Sequence, residues 1–301
     1  MNVALVGAGH MGAAIAERVL QAGFPLTVYN RTPGKTEALA ALGAEVAEDT
    51  AGLLPEGGVC LTVISDDAAL EMVTCGPAGV LDGAGAGAVL IDMSTVSPEA
   101  SSRVAQAAQA AGVEYLRAPV SGNPTVVRAG NLTIIVSGPA GALERTSELL
   151  TAIGPTIYHV GDGEHARVVK LALQVLIGGT AELLSEALLL GESGGVDRRM
   201  LLEVIGSSAA GSPFVKYKTG PLVAGDFSPT FTTRMLAKDV DLVLGFARRR
   251  GAAVPLTETL EAVLSETIEA GHGDDDMMAL FLELRRRAGL GALSPAGEEA
   301  S

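Results

Sequence analysis

The chain has 301 residues, enough for about two domains of ordinary size, and its composition of 48% hydrophobic and 19% charged residues is that of a globular protein with a substantial core. A formal net charge of −14 repels polyanions, which argues against nucleic acid and anionic membrane surfaces as partners. Aromatic residues make up 3% and tryptophan is absent, so aliphatic side chains and alanine must fill the interior.

Residues 2–6 form a short apolar run with no basic stretch ahead of it, so no secretory signal is expected. Glycine-rich sequence follows, then helical periodicity over 11–22 and a second apolar run at 26–29. Strand, helix and strand within some 30 residues is the size of one βαβ unit. Further strands are predicted at 59–64, 88–91, 114–116, 132–136 and 156–160, with helices over 98–111 and 140–153. This alternation predicts an α/β domain with a mostly parallel sheet covered on both faces. Beyond residue 163 only helical patterns are found, at 166–192, 198–206, 232–250, 256–269 and 276–287. The expected organisation is an α/β domain over 1–163, an all-helical domain over 164–288, and a flexible tail over 289–301. Residues 168–190 are apolar but carry Lys170, Gln174, Glu182 and Glu186, too polar for a membrane span.

Cys60 and Cys75 do not make a disulfide framework and fit a reducing, cytoplasmic compartment. Cys60, inside an apolar strand, is expected to be buried and inert. His10, His159, His165 and His272 are scattered without metal-ligand spacing. Asp274-Asp275-Asp276 lacks the remaining positions of a calcium loop and reads as a solvated turn with a helix cap.

Gly7-Ala8-Gly9-His10-Met11-Gly12 follows the first strand directly and opens a helix, as a dinucleotide loop requires. Gly7 would permit the tight turn, Gly9 the approach of a pyrophosphate to the backbone, and Gly12 close packing. The phosphates would then rest on a helix N-terminus, where unpaired N–H groups favour anions. At the end of the second strand, where an NAD-preferring site places a carboxylate, this chain has Asn30-Arg31-Thr32, with Lys35 nearby. An arginine there accommodates a 2′-phosphate, so NADP(H) is expected over NAD(H). Ser65 and Asp66 follow the next strand on the same edge, where Asp66 or Asp67 suits a helix N-cap. Thr95 ends a further strand and is placed to meet the cofactor, and Ser97 before Pro98 reads as another cap.

Four blocks in order carry a family resemblance. They are the Gly7–Gly12 loop; Asp92-Met93-Ser94-Thr95-Val96-Ser97-Pro98; Ala118-Pro119-Val120-Ser121-Gly122 with Gly130-Asn131-Leu132-Thr133; and Lys170, supported by Lys238-Asp239. Together they resemble the β-hydroxyacid dehydrogenases, the family of 3-hydroxyisobutyrate dehydrogenase and glyoxylate/succinic semialdehyde reductase. The resemblance implies a Rossmann domain joined by a long helix to an all-α domain. It implies Lys170 as the general acid/base, Ser121 and Gly122 as the block binding a substrate carboxylate, Thr95 beside the nicotinamide ribose, and Lys238 closing over the site. The family usually has asparagine where this chain has Gln174, and Ser-Gly-Gly where it has Ser121-Gly122-Asn123-Pro124. Gln174 and Asn123 are therefore the candidate substrate contacts that set this chain apart.

The implied reaction is hydride transfer between NADP(H) and a small carboxylate-bearing aldehyde or 3-hydroxyacid. An NAD-dependent 3-hydroxyisobutyrate-type dehydrogenase, an imine reductase-like enzyme and a non-catalytic NADP-binding scaffold are the alternatives. The alanine- and leucine-rich helical domain leads to the expectation of a homodimer or homotetramer.

Overall fold

A computed structural model describes residues 1–291 and Leu293. The chain divides into two compact units, one of Met1–Lys170 and one beginning at Leu171. The expected flexible tail falls largely outside the described residues.

The first unit opens with β1 (Val3–Val6), α1 (His10–Gln21) and β2 (Leu26–Tyr29). Then come α2 (Glu37–Ala41), β3 (Glu45–Val46), β4 (Val59–Thr62), α3 (Asp67–Cys75), β5 (Val89–Asp92), α4 (Pro98–Ala110) and β6 (Glu114–Arg117). These six strands form one wholly parallel sheet in the order β3-β2-β1-β4-β5-β6. Reversal of the winding between β1 and β4 opens a crevice at their C-terminal ends, where ligands bind in such sheets. β1, β4 and β5 are buried along their whole length, which is why they read as unbroken apolar runs.

One sheet was expected, and there are two. β7 (Val120–Ser121), α5 (Pro124–Arg128), β8 (Thr133–Val136), α6 (Ala140–Ile153) and β9 (Thr156–His159) build a smaller sheet, in the order β7-β8-β9. Its β7–β8 pair is antiparallel. An isolated bridge between Arg117 and Ser137 links it to the end of β6. Strands β3 and β7, two residues each, are too short to show periodicity in sequence.

Helix α7 (His165–Ser193) starts in the first unit and continues into the second. It is long and apolar enough by composition to cross a membrane, yet it buries Gln174, Glu182 and Ser185. The second unit continues with α8 (Arg198–Ser207), α9 (Pro213–Ala224), α10 (Thr233–Arg250), α11 (Pro255–Thr267) and α12 (Leu280–Arg287), and has no strand among its described residues. Its core gathers Leu184, Leu188, Leu236, Val240, Leu260 and Phe281.

Helix α9 was not foreseen, because Gly220 and Pro221 interrupt its pattern. A buried ion pair holds it: Lys218 Nζ lies 2.6 and 2.8 Å from the two oxygens of Asp276. This also corrects the reading of 274–276 as a solvated turn. Asp276 is 4% exposed and caps the turn Met277–Ala279, whereas Asp274 faces solvent.

Candidate active site

The glycine loop lies between β1 and α1. Gly7 has φ +104°, and a Cβ there would stand 2.3 Å from the Val63 carbonyl oxygen. A Cβ on Gly12 would stand 1.8 Å from the Gly7 carbonyl oxygen, so the third glycine lets the helix close on its own entry turn. Gly9, the N-cap of α1, would meet nothing within 4 Å. The protein thus leaves open the one face of the loop that a pyrophosphate needs, beside the unpaired N–H groups of a helix start. His10 begins the helix on the exposed side, and Met11 packs partly against the core.

Asn30, at the end of β2, braces this loop. Its Oδ1 accepts from the Ala8 N–H at 2.9 Å and its Nδ2 donates to the Thr32 carbonyl at 2.9 Å. One side chain therefore holds the glycine loop and the Arg31-Thr32 turn in fixed relation. Arg31, Thr32 and Lys35 are exposed and lie on or before the single 3₁₀ turn Pro33–Lys35. Two basic residues and a hydroxyl lie exposed here, with no carboxylate between them in sequence.

The ends of β4 and β5 form the next part of the edge. Asp66 caps α3 by accepting from the Ala69 N–H at 2.8 Å, and Ser65 Oγ donates to Asp66 at 2.7 Å. Asp67, the other predicted cap, instead accepts from the Ser97 N–H at 2.8 Å and the Ser97 hydroxyl at 2.5 Å. Ser97 caps α4 through the Ala100 N–H at 3.0 Å. Thr95 is half-buried between these fixed points. Cys60, on β4, is fully buried, which pushes its thiol up to about 12.

Lys170 is half-buried on α7, and its Nζ donates to the Val120 carbonyl at 2.9 Å. Ser121 and Gly122 follow Val120 directly. Gly122 has φ +146°, and a Cβ there would stand 2.9 Å from Leu132 and 3.0 Å from Val126, so only glycine suits this turn. The ammonium group and the Ser121-Gly122 block are thus brought together within one unit, although they are far apart in sequence. Asn123 has a structural duty as well: its Oδ1 caps α5 at the Val126 N–H, 3.0 Å away.

Gln174 and Lys238 lie in the second unit. Gln174 is 4% exposed, and its Nε2 donates to Asp239 Oδ2. Lys238 Nζ forms an ion pair with Asp239 Oδ1 at 2.7 Å, without hydrogen-bond alignment. Asp239 thus connects the two predicted substrate contacts, a role that neighbouring sequence did not reveal. Among the described residues no cluster of His, Cys, Asp and Glu could hold a metal ion.

Sequence reasoning missed Arg167. It is 1% exposed and forms a buried ion pair with Asp92. The only signal in sequence was a cation at the edge of an apolar helical stretch, and its partner lies 75 positions away.

The sheet order, the glycine loop and the open face at Gly9 define a dinucleotide-binding Rossmann domain. Residues 2–161 match the NAD binding domain of 6-phosphogluconate dehydrogenase, and residues 163–284 match the family of the NAD-binding domain of NADP-dependent 3-hydroxyisobutyrate dehydrogenase. An uncharacterised oxidoreductase of Bacillus subtilis is 36% identical over 93% of this chain and 99% of its own length. The 2-(hydroxymethyl)glutarate dehydrogenase of Eubacterium barkeri is 30% identical over 93% and 94%. The crystal structure of a 3-hydroxyisobutyrate dehydrogenase from Salmonella typhimurium superposes with a TM-score of 0.85 at 26% identity, covering 94% of this chain and 99% of that one. The chain belongs to the β-hydroxyacid dehydrogenase family, enzymes that use a pyridine nucleotide.

Proposed function

We propose that the protein is an NADPH-dependent reductase of a small carboxylate-bearing aldehyde, or in reverse a dehydrogenase of the matching 3-hydroxyacid, with Lys170 as general acid/base. The observation that carries this reading is the 2.9 Å hydrogen bond from Lys170 to Val120, which holds an ammonium group beside the Ser121-Gly122 turn. Nicotinamide, when bound, supplies the hydride. The Gly9 face of the loop, shaped by Gly7, Gly12 and Asn30, would hold the cofactor's pyrophosphate, and Arg31, Thr32 and Lys35 a 2′-phosphate. The Ser121 hydroxyl and the N–H groups of the Gly122 turn offer donors to a carboxylate. Lys170 stabilises charge developing on the carbonyl oxygen and gives it a proton; in the oxidising direction it removes one. Gln174 and Lys238 are assigned to substrate binding on family resemblance alone.

The test is turnover of a panel of small acid-bearing aldehydes and cyclic imines with NADPH and with NADH. Wild-type protein is expected to reduce an aldehyde, and Lys170→Ala to lose about 10²–10⁴-fold in kcat with NADPH binding intact. Retained turnover in that variant would sink the role of Lys170. Reduction of imines alone would favour an imine reductase, and no turnover at all a scaffold. Equal or tighter NADH binding would overturn the NADP preference.

The same reading includes a cytoplasmic, self-associating protein, with a small molecule rather than nucleic acid or membrane as its ligand. Leu176, Leu183 and Leu190 on α7 are 66%, 54% and 77% exposed and seven residues apart. A two-fold axis through Leu183 would set Leu176 of one copy against Leu190 of the other, a self-complementary contact. A monomer mass by light scattering at micromolar concentration would refute the dimer.

A further inference from the structure

Arg167 hydrogen-bonds to four residues at the cofactor edge, and no role assigned so far uses it. Its side chain is 1% exposed. Nη1 donates to the Ser94 carbonyl at 2.6 Å, Nη2 to the Tyr115 hydroxyl at 3.1 Å, and Nε to Ser101 Oγ at 3.2 Å. Nη2 also pairs with Asp92 Oδ2. The other oxygen of Asp92 accepts from Thr62 at 2.6 Å and from Ser94 Oγ at 2.5 Å, and Ser94 Oγ accepts from the Ile64 N–H at 2.8 Å.

One guanidinium therefore fastens the first turn of α7 to the C-terminal end of β5, to Tyr115 on β6 and to Ser101 on α4, while Asp92 in turn holds Thr62 at the end of β4. The tethered ends run directly into Ser65 and Thr95, on the cofactor edge. Lys170 follows Arg167 by three positions, so it lies on the same side of the helix. A planar group with five donors fixes rotation as well as distance, which a lysine ammonium cannot do.

We propose that Arg167 is a positioning residue for the reaction: it sets the rotation of α7 about the Asp92–Ser94 strand end, and so aims Lys170 at the reacting oxygen. The proposal rests on the reading of Lys170 as the proton donor. A purely structural arginine could be replaced with loss of stability alone. A positioning arginine also governs the chemistry of every molecule that still folds, because misplacing a catalytic group by about 1 Å costs roughly 100-fold in rate.

The test compares Arg167→Lys, Tyr115→Phe and Lys170→Ala, each with kcat normalised to the sites that bind NADPH. Arg167→Lys keeps a charge for Asp92 but cannot serve Ser94, Ser101 and Tyr115 together. Its kcat is expected to fall roughly 10–100-fold with the NADPH Kd changed by less than about 3-fold. The aldehyde KM is expected to change by less than about 3-fold, so that the loss falls on kcat rather than on binding. Should Arg167→Lys not bind NADPH, Tyr115→Phe keeps the ion pair, frees one edge of the guanidinium, and should show the same changes in weaker form. Wild-type kcat in a variant that binds NADPH, or a loss confined to KM, overturns the proposal. Full turnover in Lys170→Ala instead overturns the reading beneath it, and the two failures are thereby told apart.

Discussion

The backbone N–H of Ala8 donates to the side-chain oxygen of Asn30 across 2.9 Å, from the glycine loop to the end of β2. Because the Asn30 amide also holds the Thr32 carbonyl, the glycine loop and the Arg31-Thr32 turn are set by one residue. Asn30→Ala should weaken NADPH and NADH alike, by about 1–2 kcal/mol, since it loosens a loop both cofactors need. Arg31→Ala should weaken NADPH by about 1.5–3 kcal/mol and NADH little, since only the 2′-phosphate loses a charged donor. Fluorescence titration of both variants with both cofactors checks the pair. Unchanged dissociation constants in Asn30→Ala would remove its role as a brace.

Two glycines of the same loop should fail in different ways. At Gly12 a Cβ would lie 1.8 Å from the Gly7 carbonyl oxygen, so Gly12→Ala should destabilise the protein without ligand by about 1–3 kcal/mol. At Gly9 a Cβ would meet no protein atom within 4 Å, so stability should shift by no more than about 1 kcal/mol. Gly9→Ala should instead lose about 10–100-fold in NADPH affinity, the equivalent of one charge-assisted hydrogen bond. Thermal unfolding with and without NADPH separates the effects; equal loss of stability in both variants would contradict the assignment.

Glu182 on α7 is 2% exposed, and its Oε2 has no hydrogen-bond partner. Burial is the main cause that pushes its carboxyl up from 4.5 to about 7; Glu186 adds to the rise and Arg287 opposes it. The folded state therefore binds a proton more tightly than the unfolded chain. No penalty exists below about pH 4.5, and it grows as pH rises, reaching its full size above pH 7. At one pH unit per 1.36 kcal/mol, that size is on the order of 3 kcal/mol. Glu182→Gln should raise stability at pH 8 and leave it little changed at pH 4. Denaturant midpoints at the two pH values measure this; equal effects at both would show that Glu182 is not protonated on folding.

The two thiols should differ sharply toward a small aromatic disulfide reagent. Cys75 is exposed at the end of α3, whereas Cys60 is fully buried with its thiol pushed up to about 12. One equivalent should react quickly in the native protein and the second only on unfolding. Rapid reaction of both in native buffer would contradict the packing around β4.

The sequence by itself determined the features that arise from neighbours along the chain. β2 and α6 begin and end where the apolar periodicity does, at Leu26–Tyr29 and Ala140–Ile153. The caps at Asp66 and Ser97 and the three loop glycines were equally legible, because each acts on residues within a turn of itself. Family resemblance added Lys170 and Ser121-Gly122, but no reason for them to meet. The tertiary structure decided that, by laying α7 against β7 so that the lysine reaches the Val120 carbonyl. It also decided which polar residues are buried: Arg167 with Asp92, Lys218 with Asp276, and Gln174 with Asp239. Such pairs join positions 58 to 75 residues apart. Their stability depends on satisfying a desolvated charge or dipole in three dimensions, and no periodicity along the chain records that requirement.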